Sequence, residues 1–178
     1  MRIRHAVLAT SILLPGSTLG AQTVRDPATP PLASEQHYLA GRFRLQLEHA
    51  VAPGATAAAR TALVTFLRKE ILPYLGREGA AVYPVVDSIA GDNGYATIAA
   101  SLDQADITRR VDRLEAQETA KSPTRFVGEA YALAGLLDSY FEREEDLIQP
   151  MLRSDLSHKE IAALRAQVHA AVEAGPGT

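Results

Sequence analysis

One pattern occurs twice in the chain and restricts its fold more than any other: a tyrosine, a glutamate four residues on, and a proline six beyond that. The copies are Tyr74, Glu78, Pro84 and Tyr140, Glu144, Pro150, and from Tyr74 to Tyr140 the offset is 66 residues. A step of four residues is about one helical turn, so each Tyr and its Glu share a helix face. Apolar residues mark the same face in both copies: Leu63, Leu67, Ile71, Val82 and Val85 in the first, Leu133, Leu137, Ile148 and Met151 in the second. Glu78 and Glu144 therefore stand in apolar stripes. A carboxylate in such a place requires a cation, a proton or hydrogen-bond donors, because burying it unpaired is expensive. Two such helices, half a folded unit apart, point to two helical hairpins related by an approximate twofold.

The remaining punctuation completes four long helices. Ser34 is a candidate N-cap for helix A, which carries Leu39, Phe43 and Leu47 on one face and stops at Pro53-Gly54. Helix B runs from about Ala55 to Ile89, with Pro73 and Pro84 expected to bend it. Gly91-Asp92-Asn93-Gly94 is a turn, helix C spans about Tyr95 to Ala116, and Lys121-Ser122-Pro123 separates it from helix D, Arg125 to Met151. Ser157-His158-Lys159-Glu160 reads as a capping box that opens a short fifth helix through His169. The predicted fold is all-α: an up-down-up-down four-helix bundle with a short C-terminal fifth helix.

Composition narrows the chemistry. There is no Cys, which removes disulfides, thiolate metal clusters and cysteine nucleophiles. Eighteen basic against 21 acidic residues give a net charge of −3 and no basic footprint for nucleic acid or an anionic membrane. At the N-terminus, Arg2 and Arg4 precede the apolar run Ala6 to Leu14 and the small residues up to Ala21, the order of a secretory signal peptide. Residues 1–21 are expected to be removed near Gly20 or Ala21, leaving a periplasmic or secreted product without a stable membrane span. Residues 22–33, with Asp26-Pro27-Ala28-Thr29-Pro30-Pro31, form a Pro-rich linker, residues 34–173 the bundle, and residues 174–178 a disordered tail.

Counting residues outward from the turns at Pro53, Asp92 and Lys121 brings His37, Tyr74, Glu78, Asp106, Tyr140 and Glu144 to one level of the bundle. Six polar groups in one layer is the layout of a metal site. His49 lies at a turn, and His158 and His169 lie on the fifth helix. The 66-residue offset maps His37 onto Asp103, so the choice between Asp103 and Asp106 stays open.

On these residues the chain resembles the hemerythrin-like family, the HHE cation-binding domains, over about residues 34 to 170. Glu70-Ile-Leu-Pro-Tyr-Leu-Gly-Arg-Glu78 with Tyr83-Pro84 is similar to the family's His-x-x-x-Glu motif of helix B, with Tyr74 in place of His. Tyr140-Phe-Glu-Arg-Glu144 is similar to the same motif of helix D, with Tyr140 in place of His. Asp106 of Gln-Ala-Asp-Ile is matched to the His of helix C, and His37 to that of helix A. The resemblance implies a non-haem iron site, mononuclear or dinuclear, with manganese as the other metal that hard oxygen ligands favour. It also implies O2 or another small diatomic as the ligand of a non-enzymatic binding or sensing module. Two readings stand side by side: a His/Tyr/Asp/Glu metal site, and a metal-free structural or interaction bundle in which tyrosine hydroxyls satisfy the glutamates. A tyrosinate-ligated haem, and a dimetal oxidase or peroxidase using the same pocket, are the lesser readings: no residue independently supports the haem, and the enzyme lacks an identifiable substrate channel or general base.

Overall fold

A computed structural model describes residues 32–91 and 94–173. The expected signal peptide and tail lie outside the described residues, as does the linker except for Leu32 and Ala33, which belong to the first helix. The order is α1 (Leu32–Val51), α2 (Ala57–Phe66), a π-turn (Leu67–Ile71), α3 (Leu72–Ala81), α4 (Tyr83–Ala90), α5 (Ile98–Thr119), α6 (Pro123–Arg143), a second π-turn (Glu144–Ile148), α7 (Gln149–Asp155) and α8 (His158–Glu173). From α2 to α4 the chain follows one bent rod, and from α6 to α7 another. The fold is thus the expected helical bundle, and no strand occurs among the described residues.

Neighbouring rods run antiparallel. His37 meets Glu145 at 3.3 Å, and Arg44, seven residues further along α1, meets Asp138, seven residues back along α6, at 3.0 Å. The other pairs behave in the same way: Gln36 reaches Glu78 and Arg42 reaches Glu70, while Gln104 reaches Leu75 and Arg68 reaches Asp112. Between α5 and α6, Asp103 pairs with Arg143 and Arg110 with Glu129. The core between the rods is built from Phe43, Leu63, Leu67, Ile71, Ile107, Leu114, Phe126, Leu133 and Leu137, all at most 2% exposed. α8 packs on α3, where Arg77 Nε donates to the Val168 carbonyl at 2.7 Å.

The ends follow the punctuation with two adjustments. α1 begins at Leu32, so Ser34 lies inside the helix and does not precede it. Thr56 caps α2 by accepting from the Ala59 N–H at 3.2 Å, and Gly91 ends α4 with φ 67°, a left-handed conformation that glycine adopts without Cβ strain. The capping box is formed as read: the Ser157 N–H donates to Glu160 Oε2 at 2.8 Å, and the Glu160 N–H to Ser157 Oγ at 3.3 Å.

Each π-turn ends two residues before a proline. The Leu72 N–H bonds back to the Leu67 carbonyl and the Gln149 N–H to the Glu144 carbonyl, five residues in each case, ahead of Pro73 and Pro150. A proline ring collides with the carbonyl four residues earlier, and the wider turn moves that carbonyl aside. Pro84 acts differently: the α-helix is interrupted at Val82 and restarts at Tyr83, with Pro84 in its first turn. The interruptions also shift the stripes. Val86 and Leu152 are the buried residues, in place of the expected Val85 and Met151 one position earlier.

Candidate functional site

The central layer is a network of hydroxyl, amide and carboxyl groups. Tyr74, Glu78, Tyr140 and Glu144 are each at most 1% exposed, and Tyr83 is 5% exposed. Glu78 Oε1 accepts from the Tyr74 hydroxyl and from Gln36 Nε2, both at 2.8 Å, and Glu78 Oε2 accepts from the Tyr140 hydroxyl at 2.8 Å. Glu144 Oε1 accepts from the Tyr83 hydroxyl at 2.9 Å, and the Tyr83 and Tyr140 oxygens lie 2.8 Å apart. Gln104 Nε2 lies within 2.9 to 3.0 Å of the Leu75 carbonyl and both of these phenol oxygens.

Four of the six expected residues meet here, namely Tyr74, Glu78, Tyr140 and Glu144. Two do not. His37 is exposed, its ring facing Glu145 at 3.3 Å. Asp106 points to Arg109 at 3.2 Å and Arg110 at 3.4 Å on the outer side of α5. The reason is angular. Residues at the same height belong to the layer only if they also face inward, and distance from a turn along the chain gives height alone. On α1 the buried positions are Gln36, Leu39, Phe43, Leu47 and Ala50, and His37 lies two residues, or about 200°, from Leu39. On α5 the inward series is Ala100, Gln104, Ile107, Val111 and Leu114, which leaves both Asp103 and Asp106 off the stripe. Asp103 pairs with Arg143.

Sequence reading therefore missed Gln36, Gln104 and Tyr83. The first two were accessible: each continues the three-and-four spacing of its apolar stripe by one step. Gly79 was a further sign for Gln104, since a Cβ there would fall 2.8 Å from Gln104 Oε1. Tyr83 enters the layer only because the helix is interrupted at Val82, which periodicity alone does not show. One expected bond is also redirected. Tyr74 does donate to the glutamate one turn along, but Tyr140 donates across the bundle to Glu78, and Tyr83 serves Glu144 in its place.

Burial controls the protonation of this layer. Loss of water is the largest influence on both glutamates, raising Glu78 to about 7 against the opposing pull of its hydroxyl and amide donors. Glu144 is raised to about 8 by burial, reinforced by the charge of Glu78. The same burial, together with the neighbouring carboxylates, pushes Tyr74, Tyr83 and Tyr140 up, so the phenols hold their protons. Among the described residues no group of three or more His, Asp and Glu is placed to hold a metal ion, and no helix is long and apolar enough to cross a membrane. The donors gathered here do not fit a histidine-rich iron centre: two carboxyls, three protonated phenols and two carboxamides meet without an imidazole. Comparison with known protein families, curated proteins and solved structures finds no match to this chain.

Proposed function

We propose that the protein is an exported structural or interaction bundle whose central layer is organised by hydrogen bonds in place of a metal. The observation that carries this reading is that hydroxyl and amide hydrogens of Tyr74, Tyr140 and Gln36 already occupy both oxygens of Glu78, at 2.8 Å each. A cation at Glu78 would have to displace those donors and deprotonate phenols that burial keeps neutral. On the resemblance to hemerythrin-like domains, the inward positions of the four helices hold Gln36, Tyr74, Gln104 and Tyr140, with the two glutamates retained. The helix C position matched to Asp106 on sequence moves to Gln104, which faces the layer while Asp106 faces Arg109 and Arg110. Such a layer closes on itself, which suits a scaffold and leaves no open coordination position for O2.

Purification of the mature chain from cells supplied with iron and manganese, followed by metal analysis and thermal unfolding, tests the reading. The expected result is far less than one metal ion per chain and a melting temperature unmoved by a chelator. One or two ions per chain, with a melting temperature that drops on chelation, would restore the iron or manganese reading, because a ligand that binds only the folded state stabilises it. Recovery of a product starting near Gln22 from the cell envelope or medium checks export.

A further inference from the structure

Four oxygens in the layer form a chain: Glu78 Oε2, the Tyr140 hydroxyl, the Tyr83 hydroxyl and Glu144 Oε1, with successive separations of 2.8, 2.8 and 2.9 Å. All three separations are those of hydrogen bonds, and each link requires one hydrogen. The two tyrosines supply two. With both glutamates ionised, Tyr140 and Tyr83 would each donate outward to a carboxylate, and their oxygens would face each other at 2.8 Å with no hydrogen on the line between them, since Gln104 Nε2, a donor 2.9 Å from Tyr140 and 3.0 Å from Tyr83, approaches both from the side. With both glutamates protonated, four hydrogens would compete for three links. One carboxyl proton satisfies the chain, and it does so in two ways. A proton on Glu78 directs the bonds from Glu78 through Tyr140 and Tyr83 to Glu144, and a proton on Glu144 directs them the opposite way.

We propose that the layer is a binding site for one proton, held jointly by Glu78 and Glu144 and passed between them along the Tyr140 and Tyr83 hydroxyls. Each passage is a concerted shift of three hydrogens. Three O–H bonds break and three form: one carboxyl oxygen loses its hydrogen, each hydroxyl oxygen exchanges one hydrogen for another, and the far carboxyl oxygen gains one, so no charge leaves the layer and no other reactant is needed. The surroundings suit a single charge. Gln36 of α1 and Gln104 of α5 face the chain as neutral amides, and Tyr74 of α3 donates its own hydrogen to Glu78. Two charged groups act on the layer from its margin: Glu35 of α1, whose Oε2 lies 3.2 Å from the His169 ring of α8 without a hydrogen bond and raises the proton affinity of Glu78, and Arg143 of α6, which is paired with Asp103 of α5. The raised affinity of both glutamates for protons has the matching direction. A proton fills the role that a cation would have between two buried carboxylates, so the inference rests on the metal-free reading.

The test is infrared spectroscopy of the folded, metal-analysed protein at neutral pH, where exposed carboxylates are ionised and a protonated carboxyl shows its own carbonyl stretch. The expected intensity is one protonated carboxyl per chain. It should vanish in Glu78→Gln and equally in Glu144→Gln, because either amide supplies the third hydrogen permanently. An intensity of zero or two in metal-free wild type overturns the proposal while leaving the metal-free layer intact; zero intensity with bound metal overturns both. A band lost in one variant and kept in the other assigns the proton to a single glutamate and overturns sharing. Should a variant not fold, carboxyl 13C spectra of glutamate-labelled wild type decide. Two buried carboxyls with intermediate shifts support sharing, and one fully protonated beside one fully ionised overturns it.

Discussion

A methyl group at Gly79 would lie 2.8 Å from Gln104 Oε1 and 3.3 Å from Nε2, so the absence of a side chain on α3 is what admits the Gln104 amide to the layer. Gly79→Ala gains helix propensity of about 1 kcal/mol but displaces an amide whose buried bonds are worth about 1–3 kcal/mol. The expected outcome is a net loss of up to about 2 kcal/mol in urea unfolding, from the difference of those two effects. In a Gln104→Ala background the same substitution should stabilise by about 1 kcal/mol, since only the propensity gain is left. A loss of equal size in both backgrounds would show that Gly79 serves something other than Gln104. Tyr74→Phe leaves Gln36 on Glu78 Oε1, and its expected cost in the same urea unfolding is about 1–2 kcal/mol. At this scale the sequence was informative about polar residues flanked by apolar ones four away, as with Glu78 and Glu144. It misled where a residue was chosen for its chemistry. His37 is a better ligand than Gln36, but one residue rotates a side chain by about 100°, and that rotation puts Gln36 inside and His37 in water.

The helices themselves were legible because their stripes are long and their breaks are glycine or proline, and all five expected rods are present with ends moved by a few residues. What the stripes also contain is a change of step. α1 and α5 mix threes and fours, as a straight α-helix must, whereas Leu63, Leu67, Ile71 and Leu75 recur strictly every four residues, as do Tyr140, Glu144, Ile148 and Leu152. Four residues overshoot a turn by about 40°, so such a run drifts off a straight face unless a wider turn absorbs it. Both π-turns lie within these runs. Each accommodates about one extra residue, which yields a prediction on the bent rod: deleting the exposed Lys69 together with Pro73→Ala should convert the π-turn to α-helix and keep both halves of the stripe in phase. The expected variant unfolds cooperatively within about 2 kcal/mol of wild type by urea titration. Deleting Arg109 from the regular α5 should behave oppositely. It rotates Val111 and Leu114 away from the core, at about 1.5–3 kcal/mol for each exposed side chain, and should abolish the cooperative transition. If the Lys69 deletion proves equally damaging, the wide turn is not a one-residue insertion.

For the molecule as a whole, the layer couples folding to pH with a sign opposite to that of most carboxylates. An ordinary ion-paired glutamate has a depressed folded pKa and stabilises the protein as pH rises. Here the folded glutamates are raised by burial, to about 7 for Glu78 and about 8 for Glu144, above the usual glutamate value of about 4.3 that the unfolded chain retains. Between those limits the folded state binds more protons than the unfolded state, so its stability is fully present below the unfolded value and is lost as pH climbs through 7 to 8. Each net proton contributes a slope of about 1.4 kcal/mol per pH unit at most. Melting temperature should therefore fall from pH 5.5 to pH 8.5. A Glu78→Gln variant removes one carboxyl from the layer and supplies an amide hydrogen in its place. That variant should show a flatter profile than wild type, with the separation of the two curves changing between about pH 4.3 and pH 8 and the variant the more stable at the alkaline end. Parallel curves across the range would mean that the buried glutamates keep the same protonation folded and unfolded. In that case the hydrogens that close the layer would have to come from somewhere other than a carboxyl.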